Sequence, residues 1–242
     1  MPELGLSVII PAYNEESRLP ETLRRVSAYL SRQSYPAEAI VVDDGSDDGT
    51  AAAAARFHGA LPVTVHRHPD GANHGKGASV KLGMLAATGA YRLFMDADNS
   101  TTIEEIERFW PLFAEGYDVV IGSRAIAGAR ITTHQPRYRE LAGRMGNRII
   151  QALAVPGILD TQVGFKMFTR RSAEVIFPRL TIDRWGFDVE ALAIARLNDW
   201  RIREMPITWS NAPGSKVKSG AYLEVLREVW RIGRNLKAGV YQ

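Results

Sequence analysis

Short apolar runs alternate with longer stretches of helical spacing along this chain. Residues 6–10 form an apolar run that Pro11 is expected to end, and residues 19–30 repeat apolar positions with helical spacing, with Pro20 suited to a first turn. A second strand is expected over 39–42, followed by Ser46-Asp47-Asp48-Gly49-Thr50 as the cap of an alanine-rich helix reaching Phe57. A third strand over 62–65, a glycine-led helix over 75–87 and a fourth strand over 91–95 continue the rhythm. Beyond it the pattern predicts helices over 102–113, 137–153 and 189–197, with strands over 118–121, 165–168 and 202–209. This alternation predicts an α/β fold: a Rossmann-like, mainly parallel sheet flanked by helices, in a single domain without internal repeats.

Two of the apolar runs end in carboxylates. Asp96-Ala97-Asp98 closes the fourth strand, and Asp43-Asp44 closes the second. Carboxylates at i and i+2 on a strand end call for a partner, and a hard divalent cation carrying phosphate oxygens is the usual one. Asp-x-Asp also suits solvated turns and helix caps, but two acidic strand ends so close in sequence are hard to explain as turn chemistry. Pro11-Ala12-Tyr13-Asn14-Glu15-Glu16 sets an aromatic ring beside amide and carboxylate groups, which suits a nucleotide base and equally suits a helix-entry loop capped by Asn14. Asp43 and Asp44 can accept hydrogen bonds from a base or ribose, or act as a helix cap. Lys76, in His74-Gly75-Lys76-Gly77, stands where it can meet a diphosphate at a helix start or remain a surface lysine. Arg124 follows the strand at 118–121, and Arg137, Arg139 and Arg144 follow on an amphipathic segment. Their forks suit phosphate groups, although helix arginines commonly extend to solvent. Neither the Walker loop nor the dinucleotide glycine fingerprint is present. Ligands of doubly wound sheets gather at strand carboxyl ends, so a nucleotide–diphosphate–metal site accounts for these features together.

With 242 residues the chain is long enough to bury a full core. The formal charge of +3 is too small to imply a nucleic-acid partner, but the excess of Lys and Arg over residues 201–242 suits a solvated face, an anionic membrane or a phosphate ligand. Cysteine is absent, which removes disulfide and thiolate chemistry. No apolar run is long enough to span a bilayer, and Met1-Pro2-Glu3 does not begin a signal peptide. The expected location is cytoplasmic, with peripheral contact to the cytoplasmic face of a membrane allowed. Val225, Val229, Ile232 and Leu236 share one helical face, and Arg227, Arg231 and Arg234 another. Residues 219–242 are therefore expected to form a basic amphipathic helix, packed on the domain or set at a membrane or homo-oligomer interface.

The segments Val8-Ile9-Ile10-Pro11-Ala12-Tyr13-Asn14-Glu15-Glu16, Val41-Val42-Asp43-Asp44-Gly45-Ser46 and Met95-Asp96-Ala97-Asp98 resemble family-2 glycosyltransferases of the GT-A fold. Asn73-His74-Gly75-Lys76-Gly77, Gly122-Ser123-Arg124, Asp160-Thr161-Gln162-Val163-Gly164-Phe165-Lys166 and Arg184-Trp185-Gly186-Phe187-Asp188-Val189-Glu190 narrow the likeness to the dolichyl-phosphate (polyprenyl-phosphate) sugar transferases. Ile207-Thr208-Trp209 and Gly214-Ser215-Lys216 bring it nearest to their β-glucosyltransferase branch.

The resemblance implies a catalytic domain over residues 1–218 that transfers a hexose, glucose first, with inversion from a nucleotide diphosphate such as UDP to a polyprenyl phosphate. It places Pro11, Ala12, Tyr13, Asn14, Glu15, Asp43, Asp44, Lys76, Asp96 and Ala97 on the nucleotide. Asp96 and Asp98 fall where Mg²⁺ or Mn²⁺ is held. Asp98, Arg124, Arg139, Asp188 and Glu190 are the implied catalytic set, with Arg124, Arg139, Gln162 and Lys166 around acceptor and sugar. Mannosyl relatives often carry glutamine as a further metal ligand where this chain has Ser100. A mannose or N-acetylglucosamine donor, a soluble saccharide acceptor and a non-catalytic nucleotide-sugar scaffold are the other readings.

Overall fold

The central strands are mainly apolar on both faces because both faces of the sheet are covered. The computed structural model describes residues 5–133, 137–211 and 221–242. In chain order the elements are β1 (Leu6–Ala12), α1 (Leu19–Leu30), β2 (Ala37–Asp43), α2 (Thr50–Ala55), β3 (Val63–Arg67), α3 (Lys76–Ala86) and β4 (Tyr91–Met95). A 3₁₀ helix, Ile103–Arg108, leads to α4 (Trp110–Ala114), β5 (Val119–Ser123), β6 (Arg130–Thr133), α5 (Arg137–Leu153) and β7 (Phe165–Thr169). The chain continues through α6 (Arg170–Ile176), α7 (Phe187–Leu197), β8 (Ile202–Pro206), β9 (Thr208–Ser210) and α8 (Ala221–Lys237).

Seven strands form one sheet in the order β3-β2-β1-β4-β7-β5-β8. Only β7 is reversed: it runs antiparallel to β4 and β5, whereas every other pairing in this sheet is parallel. Alternate residues of each strand enter opposite cores. Ile9, Ile40, Val42, Phe94 and Phe168 pack with Val80 and Met84 of α3 and with α7, while Leu6, Val8, Ile10, Val41, Leu93 and Met167 pack with Leu19, Leu23 and Val26 of α1. The result is the single-domain, helix-flanked and mainly parallel sheet that the alternation of elements predicts.

Several boundaries differ from the sequence expectation for local reasons. Pro11 does not end β1, because Ala12 faces β2 and its carbonyl accepts from Asp44 N, which turns Pro11 toward β4. The β1–β4 ladder stops at Ile9–Phe94, so the missing proline donor breaks no bond there. The helix expected over 102–113 is broken into a 3₁₀ turn and α4, with Pro111 near the start of α4. The strand expected over 202–209 leaves β5 at buried Ile207, and β9 then pairs with β6, an element that apolar spacing alone did not announce. Helix α6 also went unpredicted; Thr169 Oγ1 caps it by accepting from Ser172 N at 3.2 Å.

Helix α8 packs against α5 and α7, with Val229 and Ile232 buried and Val225 and Leu236 beside them. No helix among the described residues is long and apolar enough to cross a membrane.

Helix α3 lies unusually close to the sheet at Gly83, where a Cβ would sit 2.5 Å from Ile9 Cγ2 and 2.9 Å from Val42 Cγ2. Helix propensity favours alanine over glycine by about 1 kcal/mol. Overpacking at this contact opposes that gain, and Gly83→Ala is expected to destabilise the protein by about 1–3 kcal/mol. Urea unfolding checks this: a lower midpoint at unchanged slope is expected, and a raised midpoint would show that α3 stands off the sheet.

Candidate active site

Strand direction gathers the chemistry. The parallel strands β1, β2 and β4 bring the residues at 11–15, 43–44 and 96–98 to one edge of the sheet. Because β7 is reversed, its amino end reaches the same edge: Met95 pairs with Phe165 and Phe94 with Lys166. Strand β5 runs against β7, so its carboxyl end delivers Ser123 and Arg124 there as well.

Asp96 and Asp98 are held by their own backbone and by neighbouring helices. Asp96 N donates to Gly164 O at 3.0 Å, and Lys76 Nζ lies 2.5 Å from Asp96 Oδ1. Asp98 Oδ1 accepts from Ser100 N at 2.9 Å, across Asn99 in the left-handed conformation (φ 55°). Thr22 of α1 donates to Ala97 O at 2.6 Å and accepts from Asn99 Nδ2 at 2.7 Å, which pins the turn between the two aspartates. Gly164 has no room for a side chain, because a Cβ there would collide with the Asp96 carboxylate.

Beneath them, fully buried Lys166 donates to Asp188 Oδ1 at 2.5 Å and to Val163 O, with its ammonium 5.2 Å from the centre of the Phe94 ring. Burial pushes the Asp188 carboxyl up and the Lys166 ammonium down, and their mutual attraction opposes both shifts. Burial also pushes Asp98 up, reinforced by the charge of Asp96. Lys76 shifts upward: burial disfavours its charge, but Asp96, Asp188 and Asp98 outweigh it. Three carboxylates thus share this edge with two ammonium groups, an arrangement that favours a further cation.

The loops after β1 and β2 are sewn together. Asn14, at φ 54°, donates its N–H to Ser46 Oγ at 2.9 Å and accepts from Asp47 N at 2.9 Å, while Glu15 N donates to Thr50 Oγ1 at 2.7 Å. Glu15 accepts both Nε and NH2 of Arg18 at 2.6 Å. Tyr13 exposes 38% of its surface and offers an aromatic wall beside this seam. Asp43 and Asp44, expected on a base or ribose, are both occupied in building loops. Asp43 accepts from Arg67 and Ser46 N, and Asp44 accepts from Asn73 Nδ2, His74 N and Gly75 N at 3.0, 2.9 and 2.9 Å. Asp44 thereby fixes the turn that presents Lys76.

Arg124 is held by Asp160, which accepts its backbone N–H, Nε and NH2 at 2.8–2.9 Å, and its guanidinium lies 5.2 Å from the Trp209 ring centre. Glu204 in turn accepts from the backbone of Leu159 and Asp160 at 2.8 and 3.0 Å. Burial works against the Asp160 carboxylate, but Arg124 draws its pKa below the ordinary range. Gln162 is exposed and donates to Trp185 O at 3.4 Å. Arg139 lies in α5, but its side chain falls outside the described residues, as do those of Arg137 and Arg144. Residues 1–4 and the Gly214-Ser215-Lys216 motif fall outside them as well.

Glu190 does not join the cluster. Two residues beyond Asp188 on α7, it faces another side of the helix. Fully buried, it accepts from Thr181 N and Ile182 N at 2.9 Å, from Thr181 Oγ1 at 2.6 Å and from Tyr241 OH at 2.7 Å. Burial and Glu190 push the Tyr241 phenol up to about 12, so it stays a donor. Residues 182–183 pack directly on Gly77, so Glu190 shapes the wall behind the Lys76 turn. The sequence pattern assigns no role to Arg18, Thr22, Asp160, Glu204 or Trp209. Asp160 carried a signal, an acidic residue opening the Asp160–Lys166 motif, but nothing in the sequence marked Thr22 on its helix.

The model of the family described as glycosyl transferase family 2 matches residues 7–177. A dolichyl-phosphate beta-glucosyltransferase from Drosophila melanogaster is 36% identical over 256 residues, covering 100% of this chain and 78% of the relative. The chain belongs to glycosyl transferase family 2. The enzyme of the same name from Homo sapiens is 34% identical, covering 89% of this chain and 70% of its own length. Among solved structures, glucosyl-3-phosphoglycerate synthase from Mycobacterium tuberculosis in complex with Mn²⁺, UDP-glucose and phosphoglyceric acid superposes with a TM-score of 0.66 at 19% identity, covering 97% of this chain and 80% of that one. Mannosyl-3-phosphoglycerate synthase from Rubrobacter xylanophilus gives 0.65 at 17% identity, with 98% and 75% covered. The fold is that of the GT-A members of the family, and the chain is a glycosyltransferase.

The Arg124–Asp160 pair sets an acid limit on stability. Because the folded pKa of Asp160 is depressed, its contribution is complete above the unfolded value of about 4 and is lost as pH falls through the folded one. Asp160→Asn should cost about 3–5 kcal/mol near neutrality, because it leaves a partly buried guanidinium without its counter-charge. It should also flatten the acid limb of the unfolding midpoint measured against pH. An unchanged limb would place the acid sensitivity elsewhere.

Proposed function

We propose that the chain transfers glucose from UDP-glucose, with inversion, to the phosphate of a polyprenyl lipid of the dolichyl type. The observation that carries this reading is the joining of Lys76, Asp96, Asp98, Asp188 and Lys166 at one sheet edge with Arg124 beside them. The names of the relatives supply the sugar and the acceptor.

Asp96 and Asp98 offer hard oxygen donors suited to Mg²⁺ or Mn²⁺. No group of three or more acidic or histidine side chains among the described residues could hold a metal unaided, so diphosphate and water oxygens would complete the coordination of an ion held by Asp96 and Asp98. Once bound, such an ion supplies Lewis-acid stabilisation of charge on the departing diphosphate.

The chain's own groups do the rest. Tyr13 stacks against the base, with Pro11, Ala12, Asn14 and Glu15 forming the seat around it. Asp43 and Asp44 hold the shape of that seat through the loops they anchor. Lys76 meets the diphosphate with an ammonium that its carboxylate neighbours keep charged. Arg124, aimed by Asp160, and Arg139 receive the acceptor phosphate, and Gln162 borders the sugar. A phosphate monoester is largely dianionic at neutral pH, so its oxygen attacks the anomeric carbon without needing a strong base. The bond from that carbon to the diphosphate breaks as the new one forms on the opposite face. Asp188, locked to Lys166, orients sugar hydroxyls and helps hold the Lys76 charge in place. Residues 1–218 carry this chemistry, with α8 (Ala221–Lys237) packed behind it on α5 and α7.

Radiolabelled UDP-glucose incubated with a polyprenyl phosphate and Mn²⁺ should give an organic-extractable product labelled in the sugar. Label appearing only on a soluble acceptor, or on none, would overturn the assignment. Gly164→Ala pushes the Asp96 carboxylate aside and should lower kcat about a hundredfold, with little change in melting temperature. Activity within a few-fold of wild type would show that the position of Asp96 is not critical.

A further inference from the structure

Helix α8 carries a second, outward face that neither the core nor the catalytic edge uses. At about 100° per residue, Leu226, Lys237, Trp230, Leu223, Arg234, Arg227 and Arg231 fall within an arc of about 140°. Leu223 and Trp230 are 63% and 61% exposed. The three arginines and Lys237 are exposed as well, and Arg234 lies 5.4 Å from the Trp230 ring centre.

The helix's two acids lie just beyond this arc, past Arg231, and both are engaged with the segment before α7. Glu224 pairs with Arg184 at 3.5 Å, and Glu228 accepts from Gly186 N at 2.7 Å. Arg227 and Arg231 have no ion-pair partner among the described residues. The face is therefore cationic without internal compensation, with a large aromatic and two leucines set among the charges. At its edge, Gly233 brings α8 against the end of α5, where Leu153 is 44% exposed and continues the apolar surface.

We infer that the outer face of α8 docks on an anionic lipid bilayer, with Trp230 and Leu223 entering the headgroup region and Arg227, Arg231, Arg234 and Lys237 meeting lipid phosphates. Interfacial tryptophan and juxtaposed basic residues are the chemistry such a surface binds. Charge argues against a second copy of the chain as the occupant, because a two-fold pairing of this face would set like charges against one another. The docking would also orient the catalytic edge. The residues that anchor α8, Arg184 and Gly186, belong to the segment packed on the Gly75-Lys76-Gly77 turn, and Trp185 between them accepts from Gln162. A face so anchored holds the mouth of the cleft near the surface from which a lipid phosphate is drawn. The docking itself goes beyond the reading of the cleft and stands on the helix alone.

The test uses the full chain and vesicles that contain neither polyprenyl phosphate nor nucleotide, so its outcome is independent of sugar transfer. The protein should co-sediment with vesicles of phosphatidylcholine mixed with phosphatidylglycerol, not with phosphatidylcholine alone, and salt should release it. Each neutralised arginine should lower the partition coefficient about fivefold, so Arg227→Gln/Arg231→Gln/Arg234→Gln should lose roughly a hundredfold. The paired, exposed arginines of α1 provide a control: Arg24→Gln/Arg25→Gln should bind as wild type. Trp230→Phe should remove the blue shift of tryptophan emission seen when the wild type meets anionic vesicles, and it remains informative if the triple variant folds poorly. Equal binding to neutral vesicles, unchanged binding of the triple variant, or self-association through this face without vesicle binding would each overturn the inference.

Discussion

The ion pair between Lys166 and Asp188 is the constraint around which the catalytic edge is arranged. Both groups are buried, and removing either would leave an uncompensated interior charge worth several kcal/mol. Their meeting requires β7 to run backwards, because only then does its amino end, with Lys166, arrive where β4 delivers Asp96 and Asp98. It also fixes the start of α7, whose first turn holds Asp188. Above this pair, Lys76 and Asp96 form a second one that remains reachable from solvent. A buried pair thus supports an accessible pair.

The acidic residues around the site fall into two groups. Asp96 and Asp98 stand at the catalytic edge, with buried Asp188 beneath them. Asp43, Asp44, Asp160, Glu190 and Glu204 instead accept from backbone amides or from arginine, and so hold the surrounding loops and the Arg124 fork in place. Such charge-assisted bonds to loop backbone substitute for the ladder hydrogen bonds these segments lack. The site is therefore rigid at its rim, although most of its residues lie in loops.

Much of this was legible in the sequence. The strands β1, β2 and β4 announce themselves as mainly apolar runs, and the acidic ends of β2 and β4 mark the functional edge. The long helices α1, α5 and α8 follow their apolar spacing closely. Illegible features arise where distant partners decide. Strand β6 is four residues long with only Ile131 strongly apolar, and it exists because β9 leaves the main sheet at Ile207 to pair with it. Asp43 and Asp44 read as base or ribose ligands, and nothing local says that Arg67 and the 73–75 turn hold them as well. Glu190 read as a partner of Asp188 because two acids two positions apart look alike until α7 separates their faces and Tyr241 meets one of them.

On this reading, Asp96 and Asp98 at one strand end form a cation seat that a nucleotide diphosphate must complete. Electron paramagnetic resonance of free Mn²⁺ titrated with the protein, alone and with UDP, tests this without relying on turnover. Weak binding by the protein alone, much tighter binding when UDP is present, and loss of that gain in Asp98→Asn are expected. Equal Mn²⁺ affinity with and without UDP, or an unaffected Asp98→Asn, would contradict it.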